Sequence, residues 1–122
     1  MQRVLVIDDD EQVRALLNEI LDRAGFQVLE ATNGSEGLKL YRRQPADLVI
    51  TDLIMPEKEG VETIMELRRQ FPDARIIAIS GGERNAGRDY LPIAAKLGAR
   101  RTVAKHFSRQ EILDAVRETL AP

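Results

Sequence analysis

A short apolar run in the middle of the chain, residues 48–50 within ADLVITDLIMP, constrains the fold more than any other stretch. The run is β-prone, too short for a helix, and lies between Pro45 and Pro56. It therefore predicts a strand that is covered on both faces, as in the middle of a parallel sheet. The stretch leads into Asp52, a carboxylate at the carboxyl end of the predicted strand, where open α/β sheets bind their ligands. A lone aspartate there is commonly a helix cap or a turn residue, so one carboxylate does not define a site.

The same pattern of strand followed by helix repeats along the chain. The predicted strands are residues 4–7, 26–29, 48–50, 76–79 and 102–104. Helix one and helix three show the apolar stripe of a helix that packs on a sheet, at Val13, Leu16, Leu17, Ile20 and Leu21 and at Val61, Ile64, Met65 and Leu67. Helix two follows Asn33, helix four spans residues 89–97, and Ser108 with Glu111 forms a capping box that opens helix five.

Five strands that alternate with five helices predict one α/β domain over residues 1–122, with a parallel sheet and right-handed crossovers. Strands one, three and four are wholly apolar and belong in the centre, whereas strands two and five are more polar and belong at the edges. This is the flavodoxin-like order 2-1-3-4-5, a doubly wound sheet whose switch point lies between strands one and three. Asp8 and Asp9, which follow strand one, should therefore meet Asp52 in one crevice.

The composition excludes several classes of protein. The chain has no cysteine and one histidine, which rules out disulfides, thiolate metal sites and a zinc site with several histidines. A net charge of −2 gives no general attraction to nucleic acid, so we expect no direct nucleic-acid partner. The apolar runs are too short for a signal peptide or a membrane span, and we expect a cytoplasmic protein without membrane insertion.

The predicted crevice has the composition of a phosphoryl-transfer site. Three carboxylates repel one another unless a cation lies between them, and oxygen ligands without histidine or cysteine favour Mg²⁺. Ser80 and Lys105 leave strands four and five at the same edge and offer a hydroxyl and a mobile positive charge. Taken singly, each is more often an ordinary turn or surface residue, and Asp10 is expected only to cap helix one.

At these residues the chain resembles the receiver domain of bacterial two-component response regulators. VLVIDDDEQVR, DLVITDLIMPEKEG, IIAISGG and LGARRTVAKHF carry the resemblance in order. It implies Asp52 as phosphoacceptor, Asp8 and Asp9 as Mg²⁺ ligands together with Asp52 and the main-chain carbonyl of Ile54, and Ser80 and Lys105 as switch and phosphate-pairing residues. It also implies a histidine kinase or histidine phosphotransfer protein as donor, and a surface of helix four, strand five and helix five that engages a downstream target protein.

The chain departs from the family pattern at two positions in and after strand five. Thr102 stands where the family usually has an aromatic residue, and His106 stands where a proline usually follows the lysine. A cis bond before a residue other than proline costs about 2.5–4 kcal/mol, so we expect a trans Lys105–His106 peptide with His106 facing solvent. The interval between Ser80 and Lys105 is also about three residues longer than is usual in the family.

Two other readings remain open. A phosphohydrolase of the haloacid dehalogenase type would use the D-x-D of residues 8–10, but 122 residues leave no room for a cap domain and Asp52 would have no role. A pseudo-receiver would bind a partner without accepting phosphate. A P-loop enzyme is excluded because Gly81 and Gly82 are not followed by the required lysine and hydroxyl residue. We expect a receiver rather than an enzyme, apart from its own phosphorylation and dephosphorylation. We favour a stand-alone receiver, and the alternative is a receiver cut from a longer regulator.

Overall fold

The computed structural model describes residues 2–53, 60–80, 98–104 and 107–121. The strands are β1 (Arg3–Ile7), β2 (Gln27–Ala31), β3 (Leu48–Asp52), β4 (Ile76–Ser80) and β5 (Arg101–Ala104). The helices in the described ranges are α1 (Glu11–Arg23), α2 (Gly34–Arg43), α3 (Gly60–Gln70) and the last helix, Arg109–Leu120. The predicted helix over residues 89–97 lies outside the described residues.

The five strands form one parallel sheet in the order β2-β1-β3-β4-β5, which confirms the predicted doubly wound topology. β3 is buried along its whole length, as the apolar run at residues 48–50 predicts. β2 is half exposed and lies at one edge. Because β1 and β3 are neighbours, the chain reverses its direction of winding between them, and that is where the sheet opens a crevice.

Side chains of β1 alternate between two hydrophobic layers. Leu5 and Ile7 pack in the layer that contains residues of α2 and α3, whereas Val4 and Val6 pack in the layer that contains residues of α1 and the last helix. Both faces of the central strands are therefore covered. This explains why β1, β3 and β4 carry runs of apolar residues instead of alternating with polar ones.

The ends of α1 and the last helix follow the predicted capping. Asp10 accepts hydrogen bonds from the main-chain nitrogens of Gln12 and Val13, at 2.9 and 3.3 Å. Gly25, with φ of +95°, takes the left-handed conformation just beyond α1, which favours glycine. At the last helix, Ser108 and Glu111 form the reciprocal capping box.

Two residues predicted to face the core are exposed instead. Leu16 on α1 is 47% exposed and Met65 on α3 is 53% exposed. The buried residues of α3 are Gly60, Thr63, Ile64 and Leu67, a stripe with the spacing of one helix face. Met65 follows Ile64 and so lies about 100° further round the helix, since an α-helix has 3.6 residues per turn. Leu16 is exposed for the same reason, because it precedes the buried Leu17 and lies about 100° from it round the helix.

The beginnings of β4 and β5 hold the end of the last helix. Arg75 donates to the main-chain oxygen of Leu120 at 3.0 Å, and Arg100 donates to that of Thr119 at 3.4 Å. Arg101, which we placed just before strand five, is the first residue of β5 and forms an ion pair with Glu118. Cationic groups at a helix carboxyl end satisfy free carbonyls and oppose the negative end of the helix dipole.

Candidate functional site

The pairing register of the sheet delivers two carboxylates to the same point. Ile7 of β1 pairs with Thr51 of β3, so the residues that follow them, Asp8 and Asp52, lie side by side at the carboxyl end of the sheet. Asp8 is 1% exposed and Asp52 is 2% exposed. Asp9 comes next in the chain and is exposed. The crevice is thus lined by two buried carboxylates and has a third that solvent can reach.

The three carboxylates form a cluster that could hold a metal ion. One oxygen from each of Asp8, Asp9 and Asp52 lies within 4.8 Å of the others. Negative charges at this spacing repel one another strongly where solvent is excluded, and a divalent cation between them would remove that cost. A set of oxygen donors fits Mg²⁺, which takes one or a few carboxylates and completes its shell with water and phosphate oxygens. The donor chemistry of the cluster therefore fits the cation that the sequence predicts.

The turn after β1 is held by hydrogen bonds that begin at Asp8. Its main-chain nitrogen donates to the oxygen of Ala31 at 3.1 Å, and its Oδ1 accepts from the main-chain nitrogen of Asp10 at 2.8 Å. Its main-chain oxygen accepts from the Arg14 guanidinium at 2.8 Å. Asp8 therefore shapes the turn as well as contributing a carboxylate, while Asp10 caps the helix, as predicted.

Backbone packing fixes the strand end that carries Asp52. The hydroxyl of Thr51 donates to the main-chain oxygen of Asp52 at 3.1 Å. The main-chain nitrogen of Leu53 donates to the oxygen of Ile79, and that of Gly60 donates to the oxygen of Leu53, both at 2.9 Å. A Cβ at position 60 would overlap the main-chain oxygen of Asp52. The start of α3 therefore lies directly against the backbone that presents Asp52.

The structure describes only part of the remaining predicted site. The backbone of Ser80 ends β4 and pairs with Ala104 of β5, which places residue 80 at the predicted edge of the sheet. Ile54, Lys105 and His106 lie outside the described residues, so the predicted carbonyl ligand, the predicted lysine and the predicted trans peptide remain predictions.

Sequence reasoning missed Arg14 and Gly60, which hold the two strand ends of the cluster. Arg14 was only a polar residue on an amphipathic helix, and its contact with Asp8 spans six positions. The apolar pattern of the predicted helix three begins at Val61, whereas the helix itself begins at Gly60. A signal was available for Arg14, since a residue at N4 of a helix lies over its first turn. No comparable signal was available for Gly60.

A five-stranded parallel sheet with an acidic cluster at its switch point is the CheY-like form of the flavodoxin fold. The sequence model of the response regulator receiver domain matches residues 4–117, nearly the whole chain. The chain belongs to this family, whose members are signalling domains of two-component and phosphorelay systems. Receiver domains of response regulators interact with histidine kinases or phosphotransfer proteins.

Two relatives and one solved structure agree with this assignment across nearly the whole of their length. The chemotaxis protein CheY of Thermotoga maritima is 35% identical over 117 residues, which are 94% of each chain. Sporulation initiation phosphotransferase F of Bacillus subtilis is 32% identical and covers 98% of this chain, with 94% of its own length aligned. The response regulator TrrA of Thermotoga maritima, solved in complex with Mg²⁺-BeF, superposes with a TM-score of 0.84 at 32% identity, covering 98% of this chain and 99% of TrrA.

None of the helices in the described ranges has both the length and the apolar character that a membrane span requires.

The exposed carboxylate of the cluster can be tested separately from the two buried ones. Asp9→Ala should weaken Mg²⁺ binding by at least about tenfold, the loss typical of even an outer-shell change at a metal site. The metal-free variant should melt at the same or a higher temperature than the wild-type protein, because one of three like charges is gone. Calorimetric Mg²⁺ titration and thermal melting in EDTA measure the two effects. Asp22→Ala, which removes the same charge from the exposed side of α1, should change neither, and equal Mg²⁺ affinity of Asp9→Ala and wild type would contradict the role of Asp9.

Proposed function

We propose that this chain is a phosphoacceptor domain in which Asp52 receives a phosphoryl group from the phosphohistidine of a histidine kinase or histidine phosphotransfer protein. The observation that supports this most strongly is the meeting of Asp52 with Asp8 and Asp9 at the switch point of the sheet. The structural neighbour TrrA was solved in complex with Mg²⁺-BeF, which supports the proposal that a domain of this fold binds a metal ion.

The proposed reaction is a single displacement at phosphorus. A carboxylate oxygen of Asp52 forms the new O–P bond while the N–P bond to the donor histidine breaks, and the electron pair of that bond stays on the histidine nitrogen. Asp8, Asp9, Asp52 and the main-chain carbonyl of Ile54 would hold Mg²⁺, which when bound neutralises charge on the phosphoryl oxygens. Burial of Asp52 fixes its carboxylate at the strand end, and positioning is most of what this chemistry requires of a protein.

Ser80 and Lys105 complete the proposal. The Ser80 hydroxyl would donate to the transferred phosphoryl group, and the Lys105 ammonium would pair with its negative charge. Their engagement would change the surface formed by residues 89–97, β5 and the last helix, and so control a downstream protein partner. We also propose that residues 1–122 form one receiver domain. We place the protein in the cytoplasm, where phosphoryl donors made from ATP are available.

The test is phosphorylation by a small donor followed by mapping of the modified residue. Wild-type protein incubated with acetyl phosphate and Mg²⁺ should gain one acid-labile phosphoryl group on Asp52, and EDTA should prevent it. Borohydride reduction of the acyl phosphate followed by peptide mass spectrometry locates the residue. A phosphoryl group on Asp8 would instead indicate a phosphohydrolase of the haloacid dehalogenase type, and no phosphorylation from acetyl phosphate or a phosphohistidine donor would indicate a pseudo-receiver.

A further inference from the structure

Arg14 connects α1 to the turn that carries the acidic cluster. Its side chain is 15% exposed, and Nη1 donates to the main-chain oxygen of Asp8 at 2.8 Å. Its Nε lies 3.4 Å from Oε1 of Glu30 on β2. One guanidinium thus contacts the backbone beside the cluster and a carboxylate on the neighbouring strand.

The other partners make this contact part of a small network. Asn18, one helical turn after Arg14, donates to Oε2 of Glu30 at 2.5 Å. The residue after Glu30 is Ala31, whose oxygen accepts from the main-chain nitrogen of Asp8 at 3.1 Å. Both main-chain polar groups of Asp8 are therefore tied to β2, the nitrogen directly and the oxygen through Arg14 and Glu30.

We propose that Arg14 is a positioning residue for the acidic cluster: it fixes the peptide between Asp8 and Asp9, and so sets where the exposed Asp9 carboxylate meets the two buried ones. This inference rests on the proposed function, because it concerns the same divalent-cation site. Arginine suits the task because its planar fork can satisfy two acceptors at once, whereas lysine offers a single point charge.

An electrostatic role and a positioning role of Arg14 predict opposite changes in Mg²⁺ affinity when its side chain is removed. Removing a cation beside the acidic cluster, and leaving Glu30 without its cationic partner, should strengthen the binding of a divalent cation on Coulomb grounds alone. Loosening the turn should weaken it, because metal affinity depends on ligands that are held in place by their surroundings. The sign of the change in Mg²⁺ affinity therefore separates a positioning role from a purely electrostatic one.

The experiment compares Arg14→Met with Arg23→Met, which removes the same charge from an exposed ion pair with Glu19 on the same helix. Calorimetric titration with Mg²⁺ should show about tenfold weaker binding for Arg14→Met and no comparable loss for Arg23→Met. Arg14→Lys should recover part of the affinity. In metal-free protein, NMR-detected exchange of the Asp10 amide should be about tenfold faster in Arg14→Met, while amides in the middle of α1 change much less.

The two readouts separate this inference from the proposed function. Tighter or unchanged Mg²⁺ binding by Arg14→Met, or an Asp10 amide that exchanges as in wild type, would overturn the positioning role. Equal acceleration along the whole of α1 would also overturn it, because that result means general destabilisation of the helix. If wild-type protein binds no Mg²⁺, the proposed function fails, and the exchange rates in metal-free protein alone decide the role of Arg14.

Discussion

Replacing Asp52 with asparagine is expected to abolish phosphorylation by acetyl phosphate while the domain stays folded. Asparagine has nearly the same shape as aspartate, but its amide lacks the charged oxygen that would attack phosphorus. The side chain is 2% exposed, so the substitution must fit the existing space, which an isostere does. It also removes one of three neighbouring negative charges. Intact-mass spectrometry should show no phosphorylated species, and circular dichroism should show wild-type secondary structure.

The matched control for this substitution is Asp22→Asn, which makes the same chemical change on the exposed side of α1. It should be phosphorylated to the same extent as the wild-type protein. An Asp52→Asn protein that is labelled as well as the control would show that the phosphoacceptor is another residue, and peptide mapping would then identify it.

Gly60→Ala is expected to destabilise the domain by about 3 kcal/mol, at the upper end of the cost of overpacking. In an ordinary helix the same change stabilises by about 0.5–1 kcal/mol, because alanine loses less backbone entropy on folding. Here the added Cβ would overlap the main-chain oxygen of Asp52 and lie 2.5 Å from the Cα of Leu53. Both obstacles are backbone atoms and cannot rotate away, so the strand end or the start of α3 must move.

Urea unfolding with a common m-value measures the change in the free energy of unfolding. Glu62→Ala, an exposed change in the same first turn of α3, should alter it by about 0.3–1 kcal/mol at most. The Gly60→Ala protein should also be phosphorylated more slowly under native conditions, because the Asp52 backbone is displaced. A Gly60→Ala protein as stable as wild type would show that α3 can shift away at no cost.

The fold was predictable because parallel strands that are buried on both faces have continuous apolar sequences. Continuous apolar runs identified the three central strands, and half-polar runs identified the edges, so the strand order followed from general rules. The orientation of helices was less predictable. An apolar residue at the border of a helix stripe can be either buried or exposed, because the outcome depends on the element that packs against the helix. Leu16 and Met65 are such residues, and both are exposed.

The acidic cluster was predictable for a related reason. Topology alone places the ends of β1 and β3 together, and Asp8, Asp9 and Asp52 follow those ends. The residues that hold these ends were less predictable, because the position of Arg14 in α1 signals only that its side chain lies over the first turn of the helix. The role of Arg14 depends on a contact with β2, and that of Gly60 depends on how closely α3 approaches β3. Such distances arise from packing between elements that the local sequence does not encode.

The hydrogen bonds from Arg75 and Arg100 determine where the end of the last helix lies on the domain. These arginines precede β4 and β5, so the helix end lies at the amino-terminal edge of the sheet, whereas the acidic cluster lies at the carboxyl-terminal edge. Five residues of strand separate the two edges by roughly 17 Å. A fluorophore or surface anchor joined after residue 121 would therefore lie away from the acidic cluster and would not obstruct the proposed approach of a phosphoryl donor to Asp52.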